Sequence, residues 1–183
     1  AAAQLLGAGD EEMVSWGSAE FVAAEEMRRN RGHWWDSTGM KLAVTRVDVS
    51  NVTTWHISAP NEPATIPKEI KYPAAGSPNA DVQLHVIDTD DYSRTEVMWN
   101  RSTHPYLVDV SWEANQPLTL VVQTRDQQSL QVLEADEGTG RTEKAIEIND
   151  PYWVEIIPGT PQRWRDGWLT IQEHEQSRSL LFN

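Results

Sequence analysis

Along most of this chain apolar residues recur at every second position, the spacing of strands with one buried face. Residues 41–49 (KLAVTRVDV) alternate, with Leu42, Val44 and Arg46 on one side. Segments 53–58 (TTWHIS), 82–88 (VQLHVID), 95–99 (TEVMW), 106–112 (YLVDVSW), 118–125 (LTLVVQTR), 129–135 (SLQVLEA) and 144–149 (KAIEIN) follow as further strands. Each is short, rich in β-branched side chains, and ends at Gly, Pro, Asn or Asp. Polar turns at 36–39 (DSTG), 113–117 (EANQP) and 136–140 (DEGTG) separate them. The pattern predicts an antiparallel all-β chain. One segment departs from it. Residues 19–30 (AEFVAAEEMRRN) have helical spacing and place Glu25 and Glu26 one turn beyond Phe21 and Val22.

Three stretches share one plan. Residues 33–46, 109–125 and 161–175 each carry a tryptophan (Trp35, Trp112, Trp164), a tight polar turn and then an alternating strand. Those tryptophans lie 77 and 52 residues apart. Repeats of about 40–50 residues with four strands each are the spacing of propeller blades. Residues 60–80 lengthen the first interval; five prolines in 21 residues predict an extended, non-helical insertion. The expected fold is a partial β-propeller of about two to three four-stranded antiparallel blades, with one short helix carrying the paired glutamates. The helix is expected at 19–30, a first blade at 33–99 with its insertion at 60–80, a second at 106–149, and an incomplete blade at 153–183. Propellers close with four or more blades. The 183 residues are therefore expected to be a piece of a propeller domain, with strand edges open to a second copy of the chain.

Charge and composition narrow the partners. A net charge of −13 disfavours nucleic acid and anionic membrane surfaces and suits a cationic ligand. Nine tryptophans against two phenylalanines suit sheet faces and binding surfaces. Cysteine is absent, which removes disulfides, thiolate chemistry and the usual zinc sites, and fits a cytoplasmic bacterial protein. His33, His56, His85, His104 and His174 have no metal-ligand spacing, and no metal or cofactor is expected. No run approaches the ~18 apolar residues of a membrane span, and residues 1–12 lack the basic start and apolar core of a signal peptide. Without export, the sequons at 51–53 and 100–102 read as accidental. Residues 138–144 (GTGRTEK) lack the Gly-Lys step of a phosphate loop and read as a hairpin turn. No G-x-S-x-G occurs; 16–20 (WGSAE) lacks its second glycine and reads as a turn before the helix.

Glu25 and Glu26 admit two readings. On a solvated helix face, Arg28 and Arg29 stand three and four residues beyond Glu25, and such pairs each add about 0.3–0.5 kcal/mol without any ligand. Alternatively, two adjacent carboxylates clamp a positive charge, which relieves their mutual repulsion.

Residues 14–48 (VSWGSAEFVAAEEMRRNRGHWWDSTGMKLAVTRVD) resemble the dipeptidyl peptidase IV family, in which a short helix with adjacent glutamates precedes a WW-containing blade. Residues 55–88 (WHISAPNEPATIPKEIKYPAAGSPNADVQLHVID) resemble the next part of the same propeller. The likeness is dense over 14–88 and rests mainly on blade pattern from 89 to 183. WDSTG stands where the family usually has a proline, and RVDVSNV replaces its commoner acidic form. The resemblance implies the recognition part of a serine exopeptidase that removes N-terminal dipeptides ending in Pro or Ala. Glu25 and Glu26 would bind the substrate's N-terminal ammonium. The Ser, Asp and His of chemistry would reside in an α/β-hydrolase domain outside this stretch. A family arginine that contacts the substrate carbonyl lies upstream of the glutamates and is also outside it. No catalytic residue is therefore expected within the chain. Two other classes stay open on the residues alone: a stand-alone, Trp-rich β module that binds peptides or sugars, and a glycosidase. The glycosidase would need carboxylates about 5–9.5 Å apart across a cleft rather than adjacent on a helix.

Overall fold

The computed structural model describes residues 12–174 and 177–182. Most of the opening segment on which the export-signal expectation rests lies outside these, as does the side chain of His174. Among the described residues the order is β1 (Val14–Trp16), α1 (Phe21–Glu25), β2 (His33–Trp35), β3 (Lys41–Asp48), β4 (Thr54–Ile57), β5 (Lys68–Lys71), β6 (Asp81–Asp88) and β7 (Arg94–Val97). It continues through β8 (Tyr106–Ser111), β9 (Leu118–Gln123), β10 (Ser129–Ala135), β11 (Thr142–Asn149), β12 (Gln162–Trp164), β13 (Gly167–His174) and β14 (Ser177–Phe182).

These strands form antiparallel sheets with the layout of propeller blades. In the first, β2, β3, β6 and β7 pair in sequence, and β3 matches β6 from Lys41↔Asp88 to Asp48↔Asp81. A fifth strand, β1, extends it by pairing Trp16↔Arg46 beyond the end of β2. The second blade is a plain meander, β8-β9-β10-β11. The third sheet holds β12, β13 and β14.

One expected blade strand does not belong to a blade. The 53–58 segment supplies β4, which pairs only with β5 in a hairpin standing apart from the first sheet. Its alternation has a local cause. Trp55 and Ile57 share a face of a two-stranded ribbon and stay 48% and 54% exposed, so period-two spacing here does not mark a core face. The 60–80 insertion holds no helix. It contributes β5, while Pro60, Pro63 and Pro67 occupy the connection, where no ladder N–H is required.

Face-to-face packing explains why all six residues of β9 are buried. Leu118, Leu120 and Val122 join Ala43, Val47, Leu84, Val86 and Val97 of the first blade in one core. Val121, from the opposite face, joins Val108, Val132 and Ile148 in a second core with Ala23, Met27 and Trp168. The second blade is thus sandwiched between the first blade and a layer made of α1 and the third sheet. A bulge between Leu107 and Asp109 lets β8 send Leu107 and Val110 to one core and Val108 to the other. Met98 N–H and Gly140 C=O close the seam between the blades at 2.7 Å.

Candidate functional site

The glutamate segment is held by contacts rather than by helical propensity. Only Phe21–Glu25 is helical, where 19–30 was expected. The reason lies in Met27 and Arg29, which are both buried, at 6% and 5% exposure. Two residues apart on a helix they would point to nearly opposite sides. The chain therefore leaves the helix: Arg28 takes the left-handed conformation (φ 58°), and the Arg29 N–H turns back to the Ala23 carbonyl at 2.9 Å. Glu25 is consequently the last helical residue and Glu26 its C-cap.

At the other end Glu20 is the N-cap. Its carboxylate accepts the N–H of Ala23 at 2.8 Å and that of Val22. Glu20 is 8% exposed, and burial raises its pKa against the opposing pull of those N–H groups and the Arg29 charge. Burial likewise lowers the pKa of Arg29, while the charges of Glu20 and Asp109 raise it. The Arg29 Nε donates to the Leu107 carbonyl, at the β8 bulge, at 3.2 Å. Its Nη1 donates to the Arg31 carbonyl at 2.8 Å. The chain re-enters the sheet through the Ser18↔Arg31 bridge and Gly32.

Glu25 and Glu26 sit side by side, exposed, at the carbonyl end of this short helix. Among the described residues neither has an ion pair or side-chain hydrogen bond. The ion pairs expected with Arg28 and Arg29 are absent: the Arg29 guanidinium is turned inward to backbone carbonyls. Helix-end carbonyls and two carboxylates together favour a cation at this spot. A cavity of about 720 Å³ opens beside Glu26, between the 26–31 loop, β8 and the third sheet, with Glu26, Arg29, Asp109, Ile157 and Trp168 among its walls. Glu26 also borders a smaller recess of about 250 Å³ with Trp153 and Glu155, whereas Glu25 borders neither.

A second support comes from the inserted hairpin. The Tyr72 ring meets Phe21, the first residue of α1, at 5.0 Å and Trp55 of β4 at 5.2 Å, both edge to face. Sequence spacing singled out Glu25 and Glu26 and named Arg29 only as an ion-pair partner on the helix face; it gave no sign of Glu20 or Tyr72. Arg29 carries the wrong partner in the helix-face reading, and no local signal announces a partner 78 residues away. Among the described residues no group of three or more His, Cys, Asp or Glu is placed to hold a metal ion.

The family model described as "Dipeptidyl peptidase IV (DPP IV) N-terminal region" matches residues 2–180. A probable dipeptidyl-aminopeptidase B of Pyrenophora tritici-repentis (strain Pt-1C-BFP) is 27% identical over 190 residues, covering 87% of this chain and 22% of that protein. An inactive dipeptidyl peptidase 10 of Rattus norvegicus is 27% identical over 173 residues, covering 90% of this chain and 21% of that protein. The crystal structure of Porphyromonas gingivalis dipeptidyl peptidase 4 matches with a TM-score of 0.79 at 19% identity, covering 93% of this chain and 25% of that one. The chain thus spans about a fifth to a quarter of the length of these proteins.

Proposed function

This chain belongs to the family of dipeptidyl peptidase IV N-terminal regions, and from that premise we propose that it recognises the substrate for a serine exopeptidase removing N-terminal Xaa-Pro or Xaa-Ala dipeptides. Glu25 and Glu26 bind the substrate's free ammonium. The observation that carries this reading is the exposed, unpaired state of both carboxylates among the described residues, with Glu26 on the wall of a cavity. An α-amine has a pKa near 8 and is an ammonium at neutral pH. Its three donors can satisfy two carboxylates at once through charge-assisted hydrogen bonds. A peptide advances roughly 3.5 Å per residue, so an ammonium held ~7 Å from the nucleophile selects the bond after the second residue. The serine chemistry is assigned to an α/β-hydrolase domain of the same polypeptide. Strand edges are assigned to pairing with a second copy, which light scattering over a concentration series checks.

The test is hydrolysis of Ala-Pro and Gly-Pro chromogenic substrates by the protein expressed from its complete reading frame. Glu25→Ala and Glu26→Ala are each expected to cost about 1.5–3 kcal/mol, roughly 10- to 150-fold in kcat/KM. The 183-residue chain alone is expected to hydrolyse neither substrate. Wild-type turnover of free-amine substrates in both variants, or equal use of N-acetylated ones by the wild type, refutes the clamp.

A recognition-only reading is favoured by two observations. One relative is named an inactive dipeptidyl peptidase, and Trp35, Trp153 and Trp164 are more than half exposed, as binding surfaces require. Peptide binding without hydrolysis by the complete protein distinguishes it.

A further inference from the structure

The carboxylate pair stands on a helix of five residues, Phe21–Glu25. A segment this short has no stability of its own, because nucleation costs more than so few hydrogen bonds return. Something must fix where residues 25 and 26 point, and both ends of the segment are tied down by buried ionisable side chains. Glu20 closes the first turn through the N–H groups of Val22 and Ala23. Arg29 closes the exit: its own N–H bonds the Ala23 carbonyl, and its side chain reaches the Leu107 carbonyl of β8 and the Arg31 carbonyl.

This is a costly way to end a helix. An exposed Ser or Asp caps equally well without burying charge, and an arginine in a loop ordinarily stays in water. Here Glu20 and Arg29 are 8% and 5% exposed and feel each other's charge, with Asp109 as a second neighbour of the guanidinium. Removing either would leave the other as a buried charge short of its compensation. Ala23, 0% exposed, receives the ties of both residues: its N–H goes to Glu20 and its carbonyl to the Arg29 backbone.

We infer that Glu20 and Arg29 are positioning residues for the ammonium clamp, forming a buried charged strap beneath α1 that fixes the Glu25–Glu26 pair relative to the second blade. The inference rests on the reading of Glu25 and Glu26 as that clamp. It predicts that breaking the strap damages recognition of the free amine in particular, and does so only while the clamp is present.

The experiment is a double-mutant cycle on the protein expressed from its complete reading frame. The readout is the ratio of the Kd values for Ala-Pro and N-acetyl-Ala-Pro, measured by calorimetry, with the melting temperature followed alongside. Glu20→Gln and Arg29→Gln should each shrink the free-amine preference about tenfold or more. Added to Glu25→Ala/Glu26→Ala, neither should change the ratio further. A purely structural role would weaken both peptides alike and leave the ratio intact. Should Arg29→Gln fail to fold, Glu20→Gln decides alone, since it is isosteric and keeps an acceptor for one N–H. If the ratio survives both strap variants but is lost in Glu25→Ala/Glu26→Ala, the positioning role is wrong and the clamp stands. If the ratio survives Glu25→Ala/Glu26→Ala, both fall together.

Discussion

The second blade and the 18–35 segment are built on opposite terms. In the blade, four strands of six to eight residues pair along their length with one bulge in each outer pairing, and β9 buries every side chain between two cores. No single contact there is special, because each apolar residue is backed by many others. In the 18–35 segment, regular structure amounts to a five-residue helix and a three-residue strand, and the path depends on a few polar contacts. Stability is therefore concentrated in one region, and the candidate chemistry sits in the other, where exposed carboxylates and buried charge bring little net stability. Such a division is expected of recognition sites, which draw on less stable parts of a fold.

The sharpest way to break this contrast is to hollow out the blade. Leu120 is 0% exposed at the centre of β9. Leu120→Ala should cost about 2–5 kcal/mol in urea unfolding, a large share of the ~5–15 kcal/mol that holds an ordinary domain. The free-amine preference of whatever remains folded should be unchanged. A loss below 1 kcal/mol would mean that the blades are not packed face to face as described.

Two glycines give a more even match. A Cβ on Gly140 would overlap the Glu96 carbonyl in the seam between blades, and a Cβ on Gly32 would overlap the Ser18 carbonyl and the Thr45 hydroxyl where the glutamate loop rejoins the sheet. Gly140 also has φ 71°, so alanine there is strained twice. Each change to alanine should cost about 1–3 kcal/mol by overpacking. Only Gly32→Ala should also erode the discrimination between free and acetylated peptides. Equal effects of both substitutions on that discrimination would show that the segment has no separate responsibility for recognition.

The same division separates what was readable in the chain from what was not. Strands β3 and β6 to β11 announced themselves as short runs rich in β-branched residues between polar turns, with alternation clearest at β3, where one face is the more deeply buried. Alternation misled at Thr54–Ile57, where Trp55 and Ile57 share one side of an isolated hairpin rather than a blade face. In the 19–30 segment the carboxylates were visible, since adjacency alone made them unusual. The helix end was not: it follows from the joint burial of Met27 and Arg29 against strands far along the chain. Glu20 was equally silent, because a glutamate before a helix looks the same whether its carboxylate is in water or sealed beneath the first turn.

Acid titration provides the finest test, with opposite signs in the two regions. On β11, Glu147 accepts from Lys144 at 2.6 Å, Gln131 at 2.8 Å and Ser129 at 3.3 Å. The Lys144 bond, then the Gln131 bond, lead in depressing its pKa from 4.5 to about 2. A depressed carboxylate stabilises the fold above its unfolded pKa, and that contribution disappears as pH falls from about 4.5 towards 2. Glu20 is raised by burial, so the folded state holds its proton more tightly than the unfolded chain does. Its contribution must decline as pH rises from 4.5 through the elevated value. Relative to wild type, Glu147→Gln should therefore flatten the loss of stability on acidification, by less than ~1 kcal/mol because the side chain is partly in water. Glu20→Gln should gain ground on wild type as pH increases across its window. Chemical denaturation at a series of pH values measures both slopes. If the two substitutions change the slope with the same sign, Glu20 is solvated like Glu147, and the buried strap that distinguishes the glutamate segment from the blade does not exist.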